Sequence, residues 1–437
     1  MARLFEELEK LKNKEDYPFH MPGHKRNVRG FIENAYDIDI TEIDGFDNLH
    51  DAGEIIREAE INAAKIYKSS ETHFLVNGST CGILSAISAV TEKGDKIIVA
   101  RNCHKSVYNG MFLNELKPVF VYPRVKNNEK FCLDTDVKII KEALKNNPDA
   151  KAVLIVSPTY DGIISNISKI ADTVHEYNIP LIVDEAHGAH LFLEKKSAIE
   201  KGADIVINSV HKTLGALTQT ALIHINGSLV DRKKLREYLT IYQTSSPSYV
   251  LMGSIDYAMF LIEKNGQDIY KEYVKKIDIL KNGLKNLKYL KHITKENLET
   301  ENIHDFDEGK IIISTVNAGI SGKNLMDIMQ SKYKIVPEMS MGKYVLFMLT
   351  LFDSYEGIER LKNALIEIDN NIEQFTFKND TSHIINTLEG RTGEISDKTV
   401  YSYPPGIPVV VKGEVITDEI IEKINEYIND NLDVKGL

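Results

Sequence analysis

The sequence predicts an α/β fold built on a mainly parallel sheet, followed by a smaller α+β domain toward the C-terminus. Three observations carry that reading. The chain has 437 residues, enough for two or three domains. Its middle alternates short, almost continuously apolar runs with helical stretches, the pattern of strands buried on both faces and separated by helices. Beyond about residue 290 this alternation gives way to a shorter series of strands and helices.

Residues 1–50 read as an N-terminal arm. It has one short helix, then PFHMPGHKRN and DIDITEIDGFDNLHDA, rich in Gly, His and Asp and weak in periodicity. Residues 51–290 read as the large domain. A helix is expected from Gly53 to about Lys68. The runs KIIVARN, PVFVYP, AVLIVSP, PLIVDEAH, DIVINSVHK and TALIHIN are the strands, and helical patterns near 80–91, 104–115, 136–146 and 166–177 separate several of them. Helices on both faces would make this a three-layer domain. From about Ser248 to Leu290 the pattern is one long connecting helix. Residues 291–437 read as the small α+β domain: KIIISTVNAG, a helix near 322–332, YVLFMLTLF, a helix near 356–375, the proline turn YPPGIP (403–408) and a closing helix at 417–432.

Composition removes several function classes. The chain carries 53 Lys+Arg against 64 Asp+Glu, a formal charge of −11, which argues against a nucleic-acid partner. The apolar share is 43% and the charged share 27%, so a sizeable core is expected and disorder is not. Cys81, Cys103 and Cys132 are an odd count with no CxxC, which fits a reducing, cytoplasmic setting better than a disulfide or thiolate-zinc framework. The N-terminus MARLFEELEKLKNKEDYPFH lacks the apolar core of a signal peptide, and no stretch has the roughly 18 apolar residues of a membrane helix.

Four motifs carry chemistry, because ligands of parallel α/β sheets sit at strand C-termini. In NGSTCGILSAI (77–87), Gly78 permits a tight turn, Ser79 and Thr80 supply hydroxyls, and a helix follows; its free N–H groups and dipole would cup a phosphate. The bland reading is an ordinary helix cap. In PLIVDEAHGAH (180–190), Asp184 ends a strand, where a carboxylate can keep a heterocycle nitrogen protonated, and Ala186 leaves room for a flat ring. The competing reading is a metal site, because Asp184, His187 and His190 are spaced DxxHxxH. In NSVHKTLGALTQTA (208–221), Lys212 follows a strand, and partial burial would help it lose its proton for attack on an aldehyde, with Ser209 and His211 adding to the phosphate site. In RNCHKSVYNG (101–110), His104 could stack on a flat cofactor. Phosphate cup, stacking His, strand-end Asp and strand-end Lys, in that order, are expected of a pyridoxal phosphate (PLP) enzyme with an aminotransferase-like fold.

The motifs MPGHKR (21–26), TEIDGFDNLHDA (41–52), NGSTCG (77–82), RNCHKS (101–106), SPTYDG (157–162), DEAHGAH (184–190), SVHKT (209–213), QTSSPSY (243–249) and YPPGIP (403–408) cover nearly the whole chain. Together they resemble the Orn/Lys/Arg decarboxylase family of aminotransferase-fold PLP enzymes. The resemblance implies that Lys212 holds PLP as a Schiff base, Asp184 pairs with its ring nitrogen, and His104 stacks on the ring. Ser79, Thr80, Ser209 and His211 would hold the phosphate, and Ser245 would reach that of a neighbouring subunit. Glu338 matches a family glutamate near the substrate side chain, with Tyr160, Asp161 and His187 as further substrate-side residues. The implied reaction is decarboxylation of arginine, lysine or ornithine to a polyamine-type amine. The chain is short and lacks the N-terminal wing domain of the large family members, which favours a homodimer over a decamer. Transamination, aldol cleavage, a metal hydrolase and a non-catalytic PLP-binding protein remain the alternatives that the constellation itself leaves open.

Overall fold

The computed structural model describes residues 11, 14–28, 34–126, 129, 131–375, 386–402, 406–429 and 434–437. The short helix expected near the N-terminus, most of it, and the start of YPPGIP lie outside them.

A seven-stranded sheet organises the chain, in the order Glu71–Leu75, Ala221–Ile225, Ile205–Asn208, Leu181–Asp184, Val153–Val156, Lys96–Ala100, Lys117–Val121. The last five run parallel to one another. Ala221–Ile225 is antiparallel to both its neighbours. Leu181–Asp184 and Ile205–Asn208 are buried at every position, as their continuous apolar runs require. Helices Gly78–Val90, Lys105–Leu113, Val137–Asn146 and Ile167–His175 fall within a few residues of the stretches expected. Helix and sheet pack closely at Gly82, where a Cβ would lie 2.7 Å from Leu75 Cδ1.

The edge strand Glu71–Leu75 was not among the expected strands, because Glu, Thr and His interrupt its apolar character. All five residues are buried nonetheless. Its polar groups are paired across the core: Thr72 with His224, and His73 with Glu60 and Glu71.

The helix Tyr249–Leu284 is a single 36-residue rod, capped where Ser248 Oγ accepts from the Leu251 N–H. It leads to an antiparallel four-stranded sheet, Lys291–Ile293, Lys310–Ser314, Tyr344–Met348 and Met339–Met341. A further sheet, Ile407–Val410, Val400–Ser402 and Val434–Lys435, forms a separate small core with the helix Asp418–Asn429. Arg101 fastens this last unit to the large sheet by donating to the carbonyls of Pro408 and Val409 at 2.7 and 2.9 Å. The arm is tied in as well. Tyr17–Phe19 pairs in parallel with Ile335–Pro337, and the Gly23 N–H donates to the His211 carbonyl at 2.8 Å. Among the described residues no helix is long and apolar enough to cross a membrane.

Candidate active site

The ends of five strands meet at one edge of the large sheet. Leu75 leads into Gly78, Ser79 and Thr80; Ala100 into His104; Val156 into Tyr160 and Asp161; Leu181–Asp184 ends on Asp184; and Asn208 leads into Ser209, His211 and Lys212. Gly78 has φ +76°, a turn conformation open to glycine at little cost. The helix that starts there has no side-chain cap from Asn77, so its first N–H groups remain free for a ligand. Ser209 Oγ donates to Ser79 Oγ at 2.9 Å, which brings the two expected phosphate hydroxyls together.

Asp184 is 3% exposed and accepts from the Ala186 N–H at 3.1 Å. Burial pushes its pKa up, and Lys212 pulls against this. A buried carboxylate with so little hydrogen bonding is a ready partner for a protonated ring nitrogen. Ala186 is also buried and offers only a methyl group. His104 caps the helix Lys105–Leu113, its Nδ1 accepting from the Ser106 N–H at 3.2 Å, so its proton sits on Nε2. Burial, then Lys212 and Lys105, lower its pKa to about 4, leaving a neutral ring suited to stacking. His211 donates from Nδ1 to the Thr220 carbonyl at 2.8 Å. Its Nε2 can therefore donate to a phosphate only when the ring is protonated, and burial holds its pKa at about 4.

Lys212 Nζ lies 3.0 Å from His187 Nε2. Burial lowers the lysine's pKa, against Asp184 and Glu338. His187 is 6% exposed, and its ring lies 4.6 Å from that of Tyr160. The Tyr160 hydroxyl donates to Glu338 Oε1, while the Met21 N–H donates to Glu338 Oε2 at 2.9 Å. Glu338 is thus a half-buried, fixed carboxylate beside the site rather than a solvated loop residue. Asp161 accepts from the Tyr344 hydroxyl at 2.6 Å, and burial pushes its pKa up to about 6. Ser245 is exposed. Its neighbour Thr244 donates its N–H to Asn77 Oδ1 at 3.4 Å, which places the loop at the mouth of the phosphate turn of the same chain.

The rival metal reading finds no support in this arrangement. His187 presents both ring nitrogens to lysines, and His190 pairs with Asp307 at 3.3 Å. Among the described residues no group of three or more His, Cys, Asp or Glu side chains is placed to hold a metal ion. The donor set suits PLP instead: an amine, a buried carboxylate, a flat apolar floor and a hydroxyl-lined helix start.

Two contributors escaped the sequence reading. Lys310 opens an apolar run and looks like a solvated flank, yet it is 1% exposed and its Nζ is 2.8 Å from His187 Nδ1. Gly23 sits against the Lys212 turn so closely that a Cβ would lie 2.7 Å from the Lys212 carbonyl oxygen. MPGHKR already pointed to this segment, but nothing in it showed where it packs.

A sequence profile described as "Orn/Lys/Arg decarboxylase, major domain" matches residues 2–356. An arginine decarboxylase of Bacillus subtilis is 31% identical, over 99% of this chain and 95% of its own length. The uncharacterized protein YaaO of the same organism is 33% identical over the same shares. Among solved structures, lysine decarboxylase A from Pseudomonas aeruginosa superposes with a TM-score of 0.75 at 17% identity, covering 94% of this chain and 73% of that one. The Francisella novicida lysine decarboxylase LdcF gives 0.74 at 19% identity, covering 89% and 71%. The fold is therefore the aminotransferase-like one expected, and the chain belongs to the Orn/Lys/Arg decarboxylase family.

Proposed function

We propose that the protein decarboxylates a basic L-amino acid with PLP carried on Lys212. The observation that carries this is the placement of Lys212 and the buried Asp184 at the ends of adjacent strands, in a chain of this family. PLP, when bound, supplies an aldehyde for the substrate amine and an electron sink for the pair left when CO2 departs. The chain's own groups do the rest. The helix start at Gly78, with Ser79, Thr80 and Ser209, would hold the phosphate. Asp184 would keep the ring nitrogen protonated, and His104 and Ala186 would pack against the ring. Lys212 would carry the cofactor on its amine and is placed to move a proton.

Glu338 faces the cationic end of the substrate, with Tyr160 fixing its orientation and Asp161 as a second carboxylate nearby. Relatives spanning nearly all of the chain are named arginine decarboxylase, which favours arginine over lysine and ornithine. The working unit in this reading is a homodimer in the cytoplasm; Ser245 lies on the loop beside its own chain's phosphate turn, and in a dimer whose two sites meet at that loop it would reach the partner's phosphate as well. Tyr36, Ile43, Phe46, Ile55 and Ile61 are exposed on the segment that meets the Ser245 loop through His50 and Thr244, and a second chain would cover them.

The test is a parallel assay of carbon dioxide release from arginine, lysine and ornithine by protein showing a PLP absorption band. Release from one of the three, with amine formed in equal amount, supports the reading. A keto acid as product would replace it with transamination.

A further inference from the structure

The imidazole of His187 is bracketed by two lysines. Its Nε2 is 3.0 Å from Lys212 Nζ and its Nδ1 is 2.8 Å from Lys310 Nζ. The ring is buried and neutral: burial, then Lys212, Lys310, His104 and His211, hold its pKa well below 6.5. A neutral imidazole has one N–H and one lone pair, whereas an ammonium has N–H donors and no lone pair. Two ammonium groups therefore cannot both bond to this ring. If one lysine donates to it, the other must accept from it, and an accepting lysine is an uncharged amine.

The surroundings assign the two roles. Lys310 stands at the start of the strand Lys310–Ser314, its stem against Gly162 and its Nζ 5.9 Å from the centre of the Tyr160 ring. The carboxylates facing it are Asp307, Glu338 and Asp161, and Lys212 opposes them. Asp307 stays ionised despite burial because His190 pairs with it. Burial brings Lys310 down to about 8, so it is still an ammonium at neutral pH. Among the described residues, the carboxylates facing Lys212 are Asp184, whose charge burial disfavours, and Glu338, which it shares with Lys310. The better-supported cation is Lys310.

We propose that Lys310 is a positioning residue: its ammonium donates to His187 Nδ1, which fixes the ring proton on Nε2, and that N–H holds Lys212 as a free amine. This rests on the reading of Lys212 as the cofactor lysine. An amine adds to an aldehyde carbon through its nitrogen lone pair and one water leaves; an ammonium has no pair to give. Lys310 thus keeps Lys212 in its reactive form by way of His187.

Two measurements on the full-length chain freed of cofactor test this. In protein carrying 15N-labelled histidine, the His187 signals, assigned by difference from His187→Gln, should show a protonated Nε2 and a bare Nδ1. Lys310→Met should abolish that preference and Lys310→Arg should keep it. Lys212 reactivity is read by reductive methylation across pH, with mass spectrometry of the peptide that contains it. Lys310→Met should slow labelling at pH 7 by about tenfold, one unit of amine pKa, and Lys310→Arg should restore it. A protonated Nδ1 in the wild type overturns the proposal, even if Lys310→Met fails to fold. So does unchanged Lys212 reactivity in a Lys310→Met protein with a wild-type circular dichroism spectrum. Failure of the Lys212 assignment itself would appear elsewhere, as borohydride fixing PLP on another lysine.

Discussion

Replacing Glu338 by glutamine removes a charge from the substrate side of the site while leaving its hydrogen bonds intact. Glu338 Oε2 accepts from the Met21 N–H, and Oε1 accepts from the Tyr160 hydroxyl. A glutamine oxygen can take the place of Oε2, and its NH2 group can donate to the Tyr160 oxygen once that hydroxyl rotates. The fold and the arm's contact therefore survive, and the change is electrostatic. Arginine, lysine and ornithine all carry a cation at the far end of the side chain. Removing one partner of a desolvated charge pair costs about 2–5 kcal/mol. Glu338 is half-buried rather than sealed, so the lower end applies. A loss of about 2 kcal/mol is roughly a 30-fold fall in kcat/KM. The assay is steady-state carbon dioxide release from the best basic substrate, with norleucine as an uncharged control whose slow turnover should barely change. The PLP absorption band should remain, since Glu338 acts on Lys212 only through its charge and its carboxylate oxygens are bonded to Met21 and Tyr160. Equal losses on both substrates would refute the reasoning and assign Glu338 to the arm contact. No loss on either would move the charge-pairing role to Asp161.

Sodium borohydride should fix the cofactor on the peptide containing Lys212, and label on any other lysine would end that assignment. Asp184→Asn should retain part of its PLP and lose most turnover; restoration of chelator-treated wild type by added metal would instead favour the metal reading. Lys212→Ala and Ser245→Asp chains, each inactive, should recover about a quarter of wild-type activity when mixed, because half the re-formed dimers would carry one intact site of two. A fully active monomer in sedimentation would contradict this. His73, whose two buried carboxylate partners raise its pKa to about 9, stabilises the fold through its charge. That contribution is complete below the unfolded value of 6.5 and is lost as pH rises through about 9, so the destabilisation caused by His73→Gln should shrink between pH 7 and pH 10 in urea titrations.

The parallel strands were legible because burial on both faces leaves no place for polar residues, so each appears as an unbroken apolar run. That logic fails for Glu71–Leu75. There a sheet-edge strand buries Glu71 and His73 as part of a charge network that reaches Arg236 and Glu60, and no local pattern distinguishes a paired buried glutamate from a solvated one. The short strands Tyr17–Phe19 and Ile335–Pro337 were hidden for a different reason. Each has only three residues, and they pair with each other across more than 300 positions of sequence.

The site divides along the same line. Lys212, Asp184 and His104 lie at or just after expected strand ends, so reading the strands placed them together, whereas Ser79 follows the missed strand Glu71–Leu75 and was legible only as a helix start after Gly78. Lys310 and Gly23 reach the site from other layers, the small antiparallel sheet and the N-terminal arm, and spacing carries no record of that meeting. Glu338 connects the two sets: it opens the turn into Met339–Met341, and its carboxylate is held by the arm through Met21 and by the large domain through Tyr160. Three parts of the chain that are far apart in sequence thus converge on one carboxylate. If Glu338 pairs with the substrate's cation as proposed, that charge bears on the arm and the large domain through one carboxylate, which is why Glu338→Gln is read on charged and uncharged substrates side by side.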